Sequence, residues 1–372
     1  MRVGILGAGQ LARMMAEAGG PLGLEFVFLD PSAGACAGSL GTLHVGPWDD
    51  PRGLELLANC DRVTCDFENV PASVLAELAG RTRVYPPPAA FAGAQDRLVE
   101  KRLLEQLDIP IAPVAAVSTR PDLLAAVEQI GYPCVLKTRR LGYDGKGQVV
   151  LYSHEDLEPA WQALAGQDLI VEGWIDFRHE CALTAVRSTE GEIRCYPLSR
   201  TVHQRGVLRL AASMHQPPLG LLEQAESAVT RLLEHLDYVG CLSLEFFATD
   251  QGLIANEYAP RPHNSAHWTI EGAVCSQFEN HLRAVCGLPL GSTQRRGHSV
   301  MLNWLGGLPE MAGYLRVPGL AWHAYHKQPR PGRKLGHATL TANTLSELHA
   351  ALEAVRPLLD RETVALLDQL AL

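Results

Sequence analysis

The sequence predicts an α/β and α+β chain: an N-terminal parallel sheet, a small central unit, and a larger C-terminal unit of mixed, largely antiparallel strands. Three observations predict it. Residues 1–93 alternate short apolar runs with helical patterns (VGIL, QLARMMAEAG, EFVFLD, RVTCDF, ASVLAELA, RVYPPP), which is the wording of βαβ units. Residues 111–175 set a glycine-rich loop between two strand-like runs, CVLK and QVVLY. Beyond residue 176, strand-like runs come in pairs joined by turns: ECALTAVRS and IRCYPLS through Glu190–Gly191, and CLSLEFFATDQGLIANEY through Asp250–Gly252.

The elements follow in order. The three prolines of VYPPP close the first unit, expected over 1–93, because proline continues neither a helix interior nor a central strand. DRLVEKRLLEQLDIP reads as a helix stopped near Pro110. STRPDLLAAVEQIGYP carries both ends of a helix: a Ser/Thr cap, Pro121 in the first turn, Leu123, Val127 and Ile130 on one face, then Gly131 and Pro133. A helix around Pro159–Ala165 precedes a strand LIVEGWI, so the second unit is expected over 94–175. The third, 176–372, ends in a helix around Ser346–Val355 with Leu348, Leu352 and Val355 on one stripe.

A chain of 372 residues should fold as two or three domains with a sizeable core. A net charge of −9 argues against nucleic-acid binding through a broad basic face, while local Arg/Lys clusters can still hold a phosphate. Nine cysteines occur as singles with no C-x-x-C, which fits reduced thiols and gives neither a disulfide framework nor a zinc site. No leader-like segment and no bilayer-length apolar run is present, so the expectation is a soluble, cytoplasmic protein with no membrane partner.

Three stretches carry chemistry. In VLKTRRLGYDGKGQVVLY, Lys137 ends a strand, and Gly142, Gly145 and Gly147 surround Lys146. Glycines let successive N–H groups turn toward an anion, and the two lysines add charge. The spacing is not that of a P-loop, and a plain Asp-Gly hairpin is the alternative. In CLSLEFFATDQGLIANEY, a three-residue loop with Gly252 left-handed pairs Thr249 with Leu253 and sets Glu245 directly opposite Glu257. Facing carboxylates repel by up to about 1 kcal/mol unless a cation lies between them. With the amide of Asn256 they form an oxygen set suited to Mg²⁺; a solvated hairpin is the alternative. APRPHNSAHW then places Arg261, His263, Asn264 and His267 on irregular backbone; Arg261 and His263 are candidates to hold an anion, and His267 reads as structural. Finally, HAYHKQPRPGRKLGH clusters Lys327, Arg330, Arg333 and Lys334 as a candidate phosphate pocket, or else a solvated basic loop.

Together these features resemble the ATP-grasp superfamily. The segments GILGAGQLARM, TCDFENVP, LKTRRLGYDGKGQ, NEYAPRPHNSAHWTIEG, SQFENH and RPGRKLGH are similar, in order and over nearly the whole chain, to the N5-carboxyaminoimidazole ribonucleotide synthetase family. The resemblance implies an ATP-grasp architecture in which a Rossmann-like domain precedes a lid domain and a C-terminal domain. It implies an ATP-dependent carboxylation of 5-aminoimidazole ribonucleotide by bicarbonate through carboxyphosphate, with Mg²⁺, in a homodimer. Another ATP-grasp ligase with a different amine acceptor is the alternative.

Residue by residue, the resemblance implies that Lys137 and Lys146 neutralise the ATP phosphates beneath a lid running from Gly142 through Tyr143, Asp144, Gly145 and Gly147 to Gln148. Glu172, Gly173, Trp174 and Ile175 would line the adenine and Glu180 the ribose, with Arg97, His203 and Asn256 also at the nucleotide. Glu245, Glu257 and Asn256 would hold the metal. Arg261, His263, Lys334 and Asp144 would be catalytic. Gly9, Gln10, Leu11, Glu68, Asn69, Tyr143, Asn264 and Ser265 would meet the ribonucleotide, with Lys327, Arg333 and Lys334 toward its phosphate.

The opening GAGQLA, with Gly7, Gly9 and Ala12 followed by Asp30, also fits a nicotinamide-dinucleotide turn. That motif alone is weak, and no hydride-transfer site follows it. The turn reads instead as a βα turn whose helix N-terminus can face an anionic substrate.

Overall fold

The protein is described from a computed structural model covering residues 1–142, 145–164, 166–218 and 220–370. The expected calls at Tyr143 and Asp144 lie outside the described residues.

The first sheet is parallel, in the order β3-β2-β1-β4, with β1 Arg2–Leu6, β2 Glu25–Asp30, β3 Thr42–Val45 and β4 Arg62–Cys65. Val3 to Leu6 are all buried, as expected of a parallel strand covered on both faces. RVYPPP does not form a full strand: Val84 makes one bridge to Val63 before the prolines end the pairing.

The second sheet holds β5 Val114–Val117, β6 Cys134–Thr138, β7 Gln148–Leu151 and β8 Leu169–Gly173, in the order β5-β8-β6-β7, antiparallel throughout. Strands β6 and β7 are the two arms of the glycine-rich hairpin. Strand β8 stops at Gly173, so Trp174 and Ile175 fall just beyond it.

The third sheet is the largest. It runs β14-β13-β9-β11-β12-β15-β17-β16, with β10 off β9, and its named pairs are antiparallel. Its strands are β9 His179–Arg187, β10 Ile193–Cys195, β11 Ser199–Gln204, β12 Val207–Ser213, β13 Gly240–Thr249, β14 Gly252–Ala259, β15 His298–Leu305, β16 Leu320–Ala324 and β17 Lys334–Ala342. Helix Leu221–His235 packs its Ala225, Val229 and Leu232 face onto one side of β9, β13 and β14. Leu242, Leu244, Phe246 and Ala248 point into that core, so Glu245 is left on the opposite face.

The β13–β14 turn corrects the expected register. Thr249 pairs with Gly252, not with Leu253, so the loop has two residues, Asp250 and Gln251. Continued without interruption, that register would set Asn256 opposite Glu245. A bulge intervenes: Phe246 faces Ala255, yet Leu244 faces Tyr258, so Asn256 and Glu257 share the place opposite Glu245.

Helix Gln277–Val285 joins the units. Its Phe278 and Leu282 lie in the same core as Val3, Ile5, Met15 and Phe28 of the first unit. His281 bridges the first and third sheets, with Nε2 2.8 Å from Thr64 Oγ1 on β4 and Nδ1 accepting the Cys241 N–H of β13 at 3.0 Å.

Candidate active site

The bulge is the physical origin of the acidic pair. Ala255 and Tyr258 both point into the core under helix Leu221–His235, and the extra residue between them turns Glu257 onto the face that carries Glu245. Burial, then the facing charges of Glu257 and Glu180 against the pull of His203, pushes the Glu245 carboxyl up to about 7. Burial raises Glu257 too, but the Arg97 guanidinium holds it below its ordinary value: Nη1 lies 2.9 Å from Oε2. Two carboxylates so placed keep their charges only beside a cation; Arg97 is that cation for Glu257, whereas Glu245 has His203 and Lys334 and stays raised.

Arg97 also reaches the lid, donating from Nη2 to Gly142 O at 3.3 Å. It opens helix Arg97–Gln106, capped by Asp96, whose carboxylate accepts from Leu98 N and pairs with Arg139 at 2.6 Å. The lid needs glycine at 145, where φ is +76° and a Cβ would stand 2.6 Å from Arg205 O of the β11–β12 turn. Gly147 O accepts from Thr138 N, Gln148 pairs with Lys137 across the hairpin, and Lys146 is exposed at its tip.

Behind Arg97 lies a buried ionic knot. Lys137 donates to Glu172 Oε2 at 2.7 Å, and Lys101 stands 3.9 Å from the same oxygen. Against the upward push of burial, the two lysines hold Glu172 down at about 2. Its Oε1 is buried without a hydrogen-bond partner. Asn256 gives its backbone carbonyl to Lys101. Along the neighbouring strands, His203 Nδ1 is 2.9 Å from Glu180 Oε2; burial opposes its charge, but this bond and the Glu245 charge raise its pKa.

A cavity of about 780 Å³ adjoins this knot. Its lining brings Arg97, Gly142, Glu245 and Glu257 together with Gly9, Gln10, Leu11, Glu68 and Asn69 and with Arg261, His263, Asn264 and Lys334. Lys137, Glu172 to Ile175, Glu180, His203 and Asn256 do not line it. Asn264 is 8% exposed, and its buried amide oxygen and amide nitrogen both lack hydrogen-bond partners. Arg261 pairs with Glu68 at 2.5 Å. His263 Nε2 is 3.6 Å from Glu245 Oε1 and Nδ1 is 2.9 Å from Ser265 Oγ; burial and the Arg261 charge keep the ring neutral. Ser265 is fully buried behind it.

In the βα turn, Gly9 N and Ala12 N donate to Asp66 at 2.6 and 3.1 Å, and Gln10 and Leu11 between them line the cavity. A Cβ at Gly9 would sit 2.5 Å from Asp66 Oδ2, so glycine here admits a carboxylate of the chain itself. Asp30 likewise accepts from Ala8 N and Ser32 N, and its carboxylate braces the turn. The side chain of Gln10 is engaged as well: its Oε1 accepts from Lys327 Nζ at 2.7 Å. In the basic segment, Arg330 and Lys334 line the cavity, whereas Arg333 donates to Gln328 O and does not.

The cavity also contains residues not expected from sequence: Asp66, Trp48, Phe67, Arg139, Glu100 and His267. Glu100, fully buried with its carboxylate on Tyr258 N, is pushed up to about 8 by burial. Only the Asp of TCDFENVP, two residues before Glu68, carried a usable sequence signal, as a second acid in an already notable segment.

Residues 102–278 match the ATP-grasp domain model, residues 1–95 the ribonucleotide synthetase preATP-grasp domain, and residues 299–351 the phosphoribosylaminoimidazole carboxylase C-terminal domain. Among curated proteins, N5-carboxyaminoimidazole ribonucleotide synthase of Pseudomonas aeruginosa is 48% identical over 361 residues, covering 97% of this chain and 100% of that protein. The Escherichia coli K12 protein of the same name is 36% identical over 361 residues, 97% of this chain and 96% of its own. The crystal structure of N5-carboxyaminoimidazole ribonucleotide synthetase from Thermus thermophilus aligns with a TM-score of 0.92 at 47% identity, covering 96% of this chain and 99% of that one. An Aspergillus clavatus N5-carboxyaminoimidazole synthase, solved with ADP and 5-aminoimidazole ribonucleotide, aligns at 0.88 with 30% identity over 98% of both chains.

Proposed function

The chain belongs to the N5-carboxyaminoimidazole ribonucleotide synthase family, and we infer from that membership that it is an ATP-grasp ligase of purine biosynthesis. It carboxylates 5-aminoimidazole ribonucleotide at the expense of ATP, giving N5-carboxyaminoimidazole ribonucleotide, ADP and phosphate.

The residues of the site support a finer reading. Lys137, Lys146 and Arg97 offset charge on the ATP phosphates, while Glu172 offers Oε1 and the Gly173–Ile175 backbone to the adenine. Glu245 and Glu257, with Asn256 beside them, fit Mg²⁺: an all-oxygen set, one member already leaning on a cation. Held by these residues, Mg²⁺ would supply positive charge to offset that of the ATP phosphates. Bicarbonate attacks the γ-phosphate to form carboxyphosphate, and the exocyclic amine of the ribonucleotide takes the carboxyl unit. Arg261 and Lys334 stabilise the anionic oxygens. His263, neutral and next to Glu245, is placed to hold or receive the proton the amine loses. The closed lid keeps water from the labile intermediate. On the ribonucleotide side, Gln10, Glu68, Asn69 and Asn264 read polar groups, and Lys327 with Arg330 and Lys334 faces the phosphate.

The observation that carries this reading is the bulge-made pair Glu245/Glu257, aimed into the cavity that holds the partnerless Asn264. The reading includes a homodimer, from the family resemblance, and a cytoplasmic enzyme, which nine unpaired thiols suit. No helix among the described residues is long and apolar enough to cross a membrane.

ADP release tests the reading directly. It should reach full rate only with 5-aminoimidazole ribonucleotide, bicarbonate and Mg²⁺ together. A rate indifferent to the ribonucleotide but raised by another amine would assign a different acceptor.

A further inference from the structure

SQFENH opens helix Gln277–Val285, and none of its residues has a role in the reaction above. Gln277 is fully buried and lies outside the cavity lining, yet its carboxamide grips the site. Its Oε1 accepts the His263 backbone N–H at 2.8 Å, and its Nε2 donates to the His263 carbonyl at 2.7 Å. Only one orientation of the amide satisfies both bonds, since a flipped amide would set donor against donor. The remaining Nε2 hydrogen has His267 Nδ1 before it at 3.2 Å.

The consequence falls on His267. A nitrogen that accepts must be bare, so a neutral ring carries its hydrogen on Nε2. Burial drives the ring down to about 3, with the charges of His323, Lys334 and Arg261 pushing the same way and the backbone at His263 opposing, so it stays neutral. Phe278 and His337 pack beside it, with ring centroids 5.3 and 5.1 Å away. His267 nevertheless lines the cavity together with Arg261 and Lys334.

We propose that Gln277 locks His267 as its Nε2–H tautomer, and that this N–H is a ligand contact, a neutral donor to an anionic oxygen of the ribonucleotide or of the carboxylating group. Arg261 and Lys334 supply charge there; a locked imidazole adds direction without adding charge. A ring that can only donate also rejects a ligand that presents a donor at that point. His267 is then a binding residue and Gln277 its positioning residue. The identity of the ligands rests on the function proposed above; the tautomer does not.

The test has two arms. Full-length protein labelled with ¹⁵N-histidine contains 14 histidines, and His267→Gln identifies the signal of interest by its loss. The long-range proton–nitrogen pattern should be that of Nε2–H, unchanged between about pH 6 and 9. In Gln277→Glu a carboxylate faces Nδ1, so the ring must become Nδ1–H or imidazolium. A wild-type ring already protonated at Nδ1, or a ring unaffected in Gln277→Glu, refutes the lock.

In the second arm, His267→Phe should raise KM for either the ribonucleotide or bicarbonate by roughly ten- to a hundredfold, with KM for ATP within about threefold of wild type. His267→Gln, which keeps an N–H near the same place, should restore most of that loss. The substrate whose KM moves owns the oxygen. Wild-type KM values in His267→Phe, or an equal rise for all three substrates, overturn the contact. If His267→Phe does not fold, Gln277→Glu must show the same KM split, and its absence overturns the contact equally. A wild-type enzyme whose ADP release ignores the ribonucleotide would sink the functional reading and leave the tautomer result standing.

Discussion

Arg97 holds Glu257 with one guanidinium nitrogen and the lid backbone at Gly142 with the other. Because one side chain is shared between the acidic pair and the loop over it, a metal–nucleotide complex binding as proposed would release both contacts at once. Glu257→Gln should therefore abolish ADP release, by roughly a hundredfold or more, because an amide cannot replace the charge a divalent ion needs. The side chain lies deep in the protein but opens onto the cavity, where it is 44% exposed to solvent, so its ion pair contributes under about 1 kcal/mol and the urea midpoint should barely move. Measurable Mg²⁺-dependent turnover in that variant would remove Glu257 from the metal site. What was legible at this scale is which polar residues gather: Glu245, Glu257 and Asn264, singled out in separate stretches, share one cavity. Asp66 was visible as an acid but its partner was not, because nothing local marks a carboxylate that accepts from Gly9 N across 57 residues.

Among elements, the short helix Arg97–Gln106 and the end of β6 depend on one side chain. Asp96 caps the helix and binds Arg139, with Arg140 at 3.2 Å, while only 2% exposed. Burial raises its pKa, but the Arg139 bonds and the helix amides outweigh it, so it is held below the ordinary value. A carboxylate with a depressed folded pKa stabilises the fold above the unfolded value of about 4 and loses that contribution as pH falls toward the folded one. Asp96→Asn keeps a cap-competent side chain and loses the ion pair, which should cost roughly 2 kcal/mol at neutral pH. Urea midpoints of wild type and variant should differ by a constant amount from about pH 8 to 5 and converge below about pH 4. A gap that persists or widens in acid contradicts this. The helix itself was legible in DRLVEKRLLEQLDIP, with its stop near Pro110. The β13–β14 register was not: a turn one residue shorter and a bulge one residue longer are each invisible in sequence, and here they offset each other, so Glu245 and Glu257 end on one face by a different route.

At the scale of the molecule, three sheets were readable as three units, but the way they are welded was not. A helix stripe announces that it is buried, not what covers it. Helix Gln277–Val285 belongs to the C-terminal part of the chain, yet Phe278, Leu282 and Cys286 complete the core of the first sheet with Met15 and Phe26, and Tyr325 joins them. The close approach is visible at Gly19, where a Cβ would lie 2.8 Å from Leu282 Cδ1. His281 adds the polar tie between Thr64 and Cys241. The cavity is lined from both sides of this seam, by Gly9–Leu11 of the first unit and Arg261, His263 and Asn264 of the third, so its shape depends on the weld. Leu282→Ala should then cost about 2–5 kcal/mol and destabilise both units together. Thiol labelling in urea, resolved by peptide mass, can read them separately: Cys65 reports β4 and Cys241 reports β13, and both are fully buried. In wild type the two should become reactive at one urea concentration, and in Leu282→Ala both should move down by the same amount. If Cys65 alone becomes reactive early, the first sheet opens by itself and the cavity is a joint between independent domains rather than part of one cooperative body.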